Sequence, residues 1–476
     1  MHGRTRTLIA STLLACSGVA GAQDSESILG FVESRYEATA DLAHALWEYA
    51  EVGYQEEKSS ERLQEELEDA GFEIQAGVAG IPTAFVASYG EGEPVIGILA
   101  EFDALPGINQ AAVPRRSPVE DKAAGHACGH NLFGAGSVGA AIAVGHWLEE
   151  TGHAGTVRLY GTPAEEGGSG KVYMVREGLF DDVDVVLHWH ADDENSAMAR
   201  TSLANRSAKF RFRGVSAHAA AAPEKARSAL DGVEAFNYMI NLMREHVPQQ
   251  TRIHYVITSG GSAPNVVPDF AEVFYYVRHP HAEKLKEIWA RVEDAARGAA
   301  TGTGVEVDWE IIHGNHPLLI NEALAKMMDE KLRIVGGIEY TDQERAFAEE
   351  LYTTLDAPAN ELGSQREIKP YEVSLGYGST DVGDVSMAVP TVGLRVATWV
   401  PGTPSHSWQA VAASGTSIGY KGAQVAAKTL ALAAIELLQN EALRERARTE
   451  FEERRGPDFR YEALLGDRPP PLDYRR

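Results

Sequence analysis

Cysteine is scarce in this sequence, and its scarcity restricts both the architecture and the chemistry. The 476 residues include two cysteines, Cys16 and Cys128, which excludes a scaffold held together by several disulfides. Removal of a leader peptide before residue 23 would leave Cys128 alone. Because a lone cysteine cannot form an intrachain disulfide, we expect Cys128 to be buried, free or bound to another group.

Positive charge is scarce as well. Lysine and arginine number 43 against 69 aspartates and glutamates, which gives a formal net charge of −26. Such an acidic surface repels phosphate backbones and anionic lipids, so the charge argues against nucleic-acid binding and membrane-surface binding. Beyond the N-terminus no apolar run predicts a transmembrane span, and the glycine- and alanine-rich residues 132–148 favour a buried helix.

Residues 1–22 have the features of an export signal. Arg4 and Arg6 precede a short apolar run, and Ala22 ends a small-residue cleavage site. We therefore expect this segment to be removed and the mature protein to be periplasmic or secreted. The alternative is a lipoprotein, because the Leu-Leu-Ala-Cys sequence ending at Cys16 resembles a lipoprotein box in which that cysteine becomes a lipid anchor.

Short apolar runs alternate with helical patterns over most of the chain. The predicted strands lie at 84–88, 95–99, 156–160, 183–187 and 391–396, and helices are predicted at 133–150 and 424–438. Strands that alternate with helices predict an α/β domain with a mostly parallel sheet. In such sheets functional side chains lie just past the carboxyl ends of the strands.

Residues 204–316 have a different pattern. Their alternating runs and helical stretches follow the order β-α-β-β-α-β, which predicts a small ferredoxin-like insert. The predicted organisation is therefore a leader at 1–22, two catalytic parts at 23–203 and 317–476, and this insert between them. From Arg444 onward the sequence is charged and contains three consecutive prolines, which predicts a surface tail.

Thiol and imidazole groups lie close together in the sequence at Cys128 and His130. In extended backbone, residues two apart share one face, and Gly129 between them would let the chain approach an ion closely. A buried cysteine beside a structural histidine is an equally good interpretation. Cys128 could instead be a nucleophile with a histidine as its base.

Adjacent acids, Glu165 and Glu166, follow a predicted strand. One carboxylate could bind a cation while the other transfers a proton, although charged pairs usually lie in exposed loops. We expect His188 and His190 to alternate faces and at most one of them to be a metal ligand. Asp103 follows a buried run and could accept a hydrogen bond from a ligand imidazole, or cap a turn.

An ordered set of motifs resembles a known family. The motifs are Glu-Phe-Asp-Ala-Leu-Pro-Gly (101–107), His-Ala-Cys-Gly-His-Asn (126–131), Pro-Ala-Glu-Glu-Gly (163–167), Trp-His (189–190), Gly-Ser-Thr-Asp-Val-Gly-Asp-Val-Ser (378–386) and His-Ser-Trp (406–408). Together they resemble the dinuclear-metal peptidases and aminoacylases, which include auxin-conjugate hydrolases, hippuricase and carboxypeptidase G. The likeness runs from about Ser27 to Leu438 and is to the p-aminobenzoyl-glutamate hydrolase branch.

This resemblance implies a zinc-peptidase-like catalytic domain that holds two divalent ions, Zn²⁺ or Mn²⁺, per subunit. The implied metal ligands are Cys128, His130, Glu166, His190 and His406. Glu165 matches the general base, and Asp103 matches the aspartate behind the metal site. Many relatives have aspartate where this chain has Asn131, but that branch also has asparagine, and we do not expect Asn131 to be a ligand.

The resemblance also implies that the insert is a dimerisation or lid domain. His218 would reach toward a partner subunit's site, and Asn265 and Arg278 would contact substrate. Without the resemblance, the functional interpretation of each of these three residues is weaker. A histidine in a small-residue loop is more often structural, an arginine near a strand end is more often a surface charge, and an asparagine there is often part of a turn.

The implied reaction is hydrolysis of the amide bond of N-acyl or N-aroyl amino acids by metal-activated water, in a homodimer or larger homo-oligomer. p-Aminobenzoyl-glutamate is the first substrate to test, and a dipeptidase or aminopeptidase is the alternative. A second hypothesis, of another class, is a metal-binding protein without turnover. The presence of Glu165 counts against it, because binding alone has no use for an extra carboxylate. A third hypothesis is a cysteine hydrolase that uses Cys128. Chelators distinguish it from a metal hydrolase, because they would abolish the activity of the metal enzyme and leave that of the thiol enzyme unchanged.

Export can be tested by mass. We expect the mature protein to begin at Gln23, because Ala22 ends the cleavage site, and to carry one thiol, that of Cys128. Intact-mass spectrometry of protein from the exporting cell, before and after alkylation, measures both properties. A diacylglyceryl group on Cys16 would contradict the cleaved, unanchored form.

Overall fold

Runs of aliphatic and β-branched residues form the strands of the computed structural model, which describes residues 25–475. The predicted leader and Cys16 lie outside the described residues. In chain order the strands are β1 (Glu73–Ala76), β2 (Phe85–Glu91), β3 (Val95–Ala100), β4 (Leu105–Pro106), β5 (Ala124–Gly125), β6 (Gly155–Gly161), β7 (Val185–Asp192), β8 (Ser196–Ala197), β9 (Ala204–Arg213), β10 (Arg252–Ser259), β11 (Phe270–His279), β12 (Glu306–Asn315) and β13 (Thr391–Ala397).

A helical segment at residues 25–34 precedes the numbered helices. In chain order these are α1 (Tyr36–Tyr49), α2 (Glu57–Asp69), α3 (His130–Thr151), α4 (Gly170–Arg176), α5 (Ala229–Met243), α6 (Ala282–Thr303), α7 (Glu322–Val335), α8 (Asp342–Tyr352), α9 (Val382–Ala388), α10 (Trp408–Ser414), α11 (Ser417–Gln439) and α12 (Glu441–Arg455). None of the helices between residues 25 and 475 is long and apolar enough to cross a membrane.

The larger sheet is mostly parallel. Within the described residues it has seven strands in the order β1-β2-β6-β3-β7-β13-β8. The central strands β6, β3, β7 and β13 run parallel, whereas β2 and β8 are antiparallel to their neighbours β6 and β13. Strand β3 is buried along its whole length, as expected for a sheet covered on both faces. This architecture confirms the predicted α/β class.

Helix α3 is the buried helix that the glycine- and alanine-rich run predicts. Its side chains are buried from His130 to Leu148, with the exception of His146. Helix α11 packs along it at short range, and a Cβ on Gly136 would lie 2.9 Å from the carbonyl oxygen of Ala423. The small residues of α3 therefore allow two long helices to approach closely beneath the sheet edge that carries the motifs.

The insert forms a separate antiparallel sheet with its own core. Its elements follow the order β9-α5-β10-β11-α6-β12, and its strands are arranged as β10-β11-β9-β12. Buried aromatic residues from strands and helices fill the space between them, including Phe210, Phe236, Tyr275 and Trp289. This is the predicted β-α-β-β-α-β arrangement, whereas the exact domain boundaries and the lid or dimerisation role stay predictions.

The end of the chain does not form the predicted surface tail. Helix α12 buries Leu443, Ala447 and Phe451, and residues 456–475, which we call the strap, cross the molecule. Leu464 packs into the core of the insert and Leu465 into the main core, each with 2% of its surface exposed. The prediction was wrong because a few apolar side chains in a charged segment can pack into cores that the rest of the fold forms, as Leu464 and Leu465 do.

Candidate metal centre and active-site cavity

The predicted site residues gather around a cavity of about 650 Å³ at the carboxyl ends of β3, β6 and β7. The larger sheet forms one wall. Glu165 and Glu166, in the loop after β6, and His190, in β7, line this wall. The insert forms the opposite wall, which includes Tyr276 and Arg278. The position agrees with the rule that open parallel sheets bind ligands beyond their strand ends.

Cys128, His130 and His190 form a group of donor atoms within 4.8 Å of one another. Cys128 Sγ lies 3.4 Å from His190 Nε2, and His190 Nδ1 donates to the Ala191 carbonyl oxygen at 2.7 Å. That hydrogen bond fixes the tautomer and leaves the Nε2 lone pair facing the cysteine. Burial, followed by the charge of Arg395, lowers the pKa of His190 to about 4, so the ring is neutral near pH 7, as a metal ligand requires.

The backbone brings Cys128 and His130 together in a different way from the predicted extended segment. Gly129 has a φ of +74° and caps the start of α3, so a turn rather than a strand aligns the two side chains. A Cβ at this position would lie 2.4 Å from the Ala191 Cβ, so glycine is required for both conformation and space.

The imidazole of His130 is held from behind by Asp103. His130 Nδ1 donates to Asp103 Oδ1 at 3.0 Å, and His130 Nε2 lies 3.1 Å from Glu101 Oε2. Burial alone would lower the pKa of His130, but the charges of Cys128 and Glu101 and the hydrogen bond to Asp103 raise it well above its usual value. The surroundings of Nε2 thus favour a positive charge, either a proton or a metal ion.

Cys128 also belongs to a second donor group. Its Sγ and donor atoms of Glu166 and His406 lie within 4.8 Å of one another, and Glu166 Oε1 is 3.5 Å from His406 Nε2. The His406 side chain is 55% exposed, which places it at the mouth of the cavity. The five predicted ligands therefore form two donor groups that share the cysteine sulfur.

Asp103 joins these two groups. Its Oδ1 accepts from His130, while its Oδ2 accepts from the backbone nitrogen of Glu166 at 2.9 Å. Burial alone would raise the pKa of Asp103, but the hydrogen bond from His130 and that ring's charge lower it below its usual value. Asp103 is therefore ionised and orients one ligand from each group.

Glu165 lies beside both groups without belonging to the predicted ligand set. Donor atoms of Glu101, His130 and Glu165 lie within 4.8 Å of one another. Burial, followed by the charges of Glu101 and Glu166, raises the pKa of Glu165 well above its usual value. A carboxylate with such a pKa accepts a proton readily, which is the property that a general base needs.

A buried lysine beneath the site was not predicted from the sequence. Lys171 Nζ lies 2.8 Å from Glu101 Oε1 and 2.7 Å from Asp381 Oδ1, and all three side chains are buried. Burial by itself would lower the pKa of Lys171, but the charges of Asp381 and Glu101 raise it. A lysine among apolar residues in α4 was the available signal, but its partner lies 210 positions away.

Two polar side chains next to predicted ligands lie outside the donor groups. Asn131 Nδ2 donates to the carbonyl oxygens of Ala43 and Ser414, each at 3.0 Å, so its side chain faces away from the donor groups. His188 lies next to Gly393 of β13, where a Cβ would come within 2.5 Å of its ring, and it also lines the cavity. The prediction that His188 and His190 alternate faces is wrong, because residues two apart on a strand share one face, and both side chains line the cavity.

Of the three insert residues predicted to act on substrate, the structure brings Arg278 to the cavity. Its Nε is buried without a hydrogen-bond partner, and it forms no ion pair within residues 25–475. His218 and Asn265 are exposed and do not line this cavity. His218 Nδ1 instead accepts from the backbone nitrogens of Ala220 and Ala221 at 3.2 Å, so a role across a subunit interface stays a prediction.

The donor set fits divalent metal ions. Three buried polar atoms at the centre, Glu101 Oε2, His130 Nε2 and Glu166 Oε1, have no hydrogen-bond partner although polar groups surround them. Native proteins rarely leave such atoms unsatisfied unless an ion or water occupies the space. Thiolate, imidazole and carboxylate are the ligands that Zn²⁺ prefers, and the last two also suit Mn²⁺.

Sequence comparison finds relatives over nearly the whole chain. Residues 97–360 match the family model described as peptidase family M20/M25/M40. The chain is 39% identical over 459 residues to one of the two subunits of the p-aminobenzoyl-glutamate hydrolase of Escherichia coli (strain K12), covering 90% of this chain and 95% of that protein. It is 29% identical to the Xaa-Arg dipeptidase of Mus musculus, covering 88% of this chain and 90% of that protein.

The fold is also similar to solved structures. One is the crystal structure of a Bacillus subtilis protein described as a dinuclear metal binding peptidase from the M20 family. The TM-score is 0.58 at 18% sequence identity, and the alignment covers 86% of this chain and 99% of that chain. At this identity the likeness concerns the fold, and it extends over both the large sheet and the insert.

Substitution of Asp103 tests whether it orients both donor groups. The amide of Asp103→Asn can accept from His130 or from the Glu166 backbone, but not from both. We expect zinc affinity to fall by about 10- to 100-fold, as for other groups that orient ligands. Competition with a chromophoric chelator measures the affinity.

Asp384→Asn is the matched control, because Asp384 is a buried carboxylate that bonds to the backbone nitrogen of His316 and to Tyr461 Oη, each at 2.8 Å. It lies outside the donor groups and should affect stability more than zinc binding. Equal zinc affinity in Asp103→Asn and wild type would show that Asp103 does not orient the ligands.

Proposed function

Since the chain belongs to peptidase family M20/M25/M40, it is a hydrolase of amide bonds, and we propose that its substrates are N-acyl or N-aroyl amino acids. One observation carries this proposal. Two donor groups that share Cys128 line the same cavity as Arg278, an arginine without an ion pair in residues 25–475. The donors suit the scissile amide, and the arginine suits the carboxylate of an amino acid. p-Aminobenzoyl-glutamate is the first compound to test.

Two divalent ions, zinc or manganese, would be held by Cys128, His130, Glu166, His190 and His406. Bound there, they would polarise the scissile carbonyl and lower the pKa of a water molecule. Cys128 would contribute to both donor groups. Asp103 would keep His130 and Glu166 in place, and Lys171 would balance the charge of Glu101 and Asp381 beneath them.

Glu165 would accept the proton of the attacking water and pass it to the leaving amine. Its half-buried position beside other carboxylates gives it the affinity for a proton that this role needs. Arg278 would bind the substrate carboxylate, because its guanidinium has no acidic partner in residues 25–475 and burial lowers its pKa. An anionic ligand would satisfy that buried charge.

A second candidate is a dipeptidase, since the Mus musculus relative bears that name. A thiol hydrolase fits the site less well. Burial, followed by the charge of Glu166, raises the pKa of Cys128, which disfavours the thiolate that a nucleophile requires. A cation held by the two donor groups would instead lower the pKa of Cys128 and favour a metal-bound thiolate.

The chain would act as a homodimer or larger homo-oligomer after export to the periplasm or the medium. The insert supports association, because it exposes apolar side chains on α5 and on the edge strand β10, including Tyr238, Leu242, Val256 and Ile257. His218 would then reach a partner subunit's cavity, since it lies outside the cavity of its own chain.

Substitution of the adjacent acids separates base from ligand. Glu165→Gln keeps the size and removes the proton acceptor, so we expect near wild-type metal content and a kcat lower by about 10²–10⁴ with little change in KM. Glu166→Gln removes a charged ligand, so we expect lower metal occupancy and partial rescue by excess metal. Metal analysis together with steady-state kinetics measures both effects.

The two variants control for each other, since the residues are neighbours of the same type in the same loop. Loss of metal from Glu165→Gln with retention in Glu166→Gln would reverse the two roles. Full activity and full metal content in both variants would contradict the proposed mechanism.

Action across a subunit interface can be tested by complementation. His218→Ala and Glu165→Gln should each be inactive alone, whereas mixed subunits would contain one cavity with both native side chains. We expect part of the activity to return after mixing, as measured by a continuous hydrolysis assay. If native mass spectrometry shows subunit exchange but no activity returns, His218 does not act in trans.

A further inference from the structure

We propose that Arg475, in the strap, binds a second carboxylate of the substrate and makes the enzyme selective for N-acyl derivatives of acidic amino acids. This inference rests on the proposed function and specifies its substrate class. It concerns a residue outside every motif considered above, which the fold nevertheless carries to the active-site cavity.

The strap is anchored at several points before it reaches the cavity. Arg468 donates to the Ile311 carbonyl and lies 2.9 Å from Glu310 Oε1, which ties the strap to β12 of the insert. Arg176 in α4 donates to the Arg468 carbonyl oxygen at 2.8 Å, and Gln55 donates to that of Leu472 at 2.7 Å. With Leu464 and Leu465 buried in the two cores, these contacts fix the path of the chain up to Arg475.

The last described residues lie directly on the loop that carries the two acids. Tyr474 packs edge-on against Tyr54, with ring centroids 5.6 Å apart, and its hydroxyl donates to the Glu166 carbonyl oxygen at 3.3 Å. Arg475 Nη2 donates to the same oxygen at 2.5 Å, and its guanidinium lies 4.8 Å from the Tyr474 ring centroid. Arg475 is therefore positioned on the cavity wall next to Glu166.

No acidic side chain among residues 25–475 forms an ion pair with Arg475. The guanidinium has five N–H donors, and its contact with the Glu166 carbonyl uses only part of them. Within residues 25–475 Arg475 forms no ion pair, and the same holds for Arg278. Burial raises the pKa of Tyr276 while the charges of both arginines oppose this rise, so the two cations lie near the same tyrosine.

Among the arginines that line the cavity, Arg278 and Arg475 are half-buried without an ion pair in residues 25–475, whereas Arg200 is exposed and Arg395 pairs with Asp192. Two half-buried guanidinium groups without acidic partners suit a dianionic ligand better than a monoanionic one. Arg278 would bind the carboxylate common to all N-acyl amino acids, and Arg475 the carboxylate of a glutamate or aspartate side chain. A ligand with a neutral side chain would leave Arg475 without an anionic partner, although it would not be excluded by size. Charge-assisted hydrogen bonds of this kind typically change affinity by about 10- to 100-fold.

The test compares p-aminobenzoyl-glutamate with p-aminobenzoyl-glutamine, which have the same acyl group and nearly the same shape but differ in side-chain charge. We expect Arg475→Ala to lower the glutamate-to-glutamine ratio of kcat/KM by about 10- to 100-fold, mainly through KM, with metal content unchanged. Arg475→Lys should recover part of the preference. Calorimetric binding of both compounds to the Glu165→Gln variant, with and without Arg475→Ala, measures the same preference without turnover.

Two further variants separate recognition from support. Arg468→Ala weakens an anchor of the strap and leaves the Arg475 side chain present, so it should lower the glutamate-to-glutamine ratio less than Arg475→Ala does. Arg200→Ala removes another arginine that lines the cavity and should leave the ratio near that of wild type. Equal loss for both compounds in Arg475→Ala, loss of its metal, or loss of the preference in Arg200→Ala instead would overturn the inference.

The same measurements distinguish the inference from the proposed function. Selective binding without hydrolysis of either compound would contradict the proposed function and still support charge recognition by Arg475. Hydrolysis of both compounds by wild type with no difference between them in rate or binding would support the function and overturn the inference.

Discussion

Buried negative charge is the constraint on which the rest of the structure depends. Glu101, Asp103 and Asp381 are buried at the cavity, Glu165 is half-buried in its lining, and Lys171 is the buried lysine that contacts Glu101 and Asp381. Transfer of carboxylates from water into a protein interior is costly unless each is paired or protonated. One lysine cannot balance four acids. The raised pKa of Glu165 and of His130 shows that the cluster draws in positive charge, which divalent ions would supply.

The architecture explains why these groups converge. Parallel strands end at one edge of the sheet, so loops that are distant in sequence deliver Asp103, Glu166 and His190 to the same place. Asp103 then connects the loops directly, through His130 on one side and the Glu166 backbone on the other. The insert and the strap contribute Arg278 and Arg475 to the lining of the same cavity, so the proposed function places substrate between these arginines and the acidic donors.

Much of the fold and part of the site could be predicted from the sequence. Apolar periodicity located the parallel strands and the insert, because local patterns reflect burial directly. The prediction that His188 and His190 alternate faces along β7 was wrong, because residues two apart on a strand share one face, and both line the cavity. The pairing of Lys171 with Asp381 and the path of the strap to Arg475 could not be predicted, because contacts between residues so distant in sequence leave no local pattern. The strap also looked like a solvated tail, since charges outnumber the few apolar residues that anchor it.

Isotope labelling tests the central claim, metal-dependent hydrolysis of an N-acyl amino acid. The mature protein, reconstituted with zinc or manganese, would be incubated with p-aminobenzoyl-glutamate in ¹⁸O-water and the products analysed by mass spectrometry. The account predicts one ¹⁸O atom in p-aminobenzoate and none in glutamate, with turnover abolished by a chelator and restored by added metal. Cleavage that continues unchanged in the presence of the chelator would contradict it, as would the absence of these products at full metal occupancy.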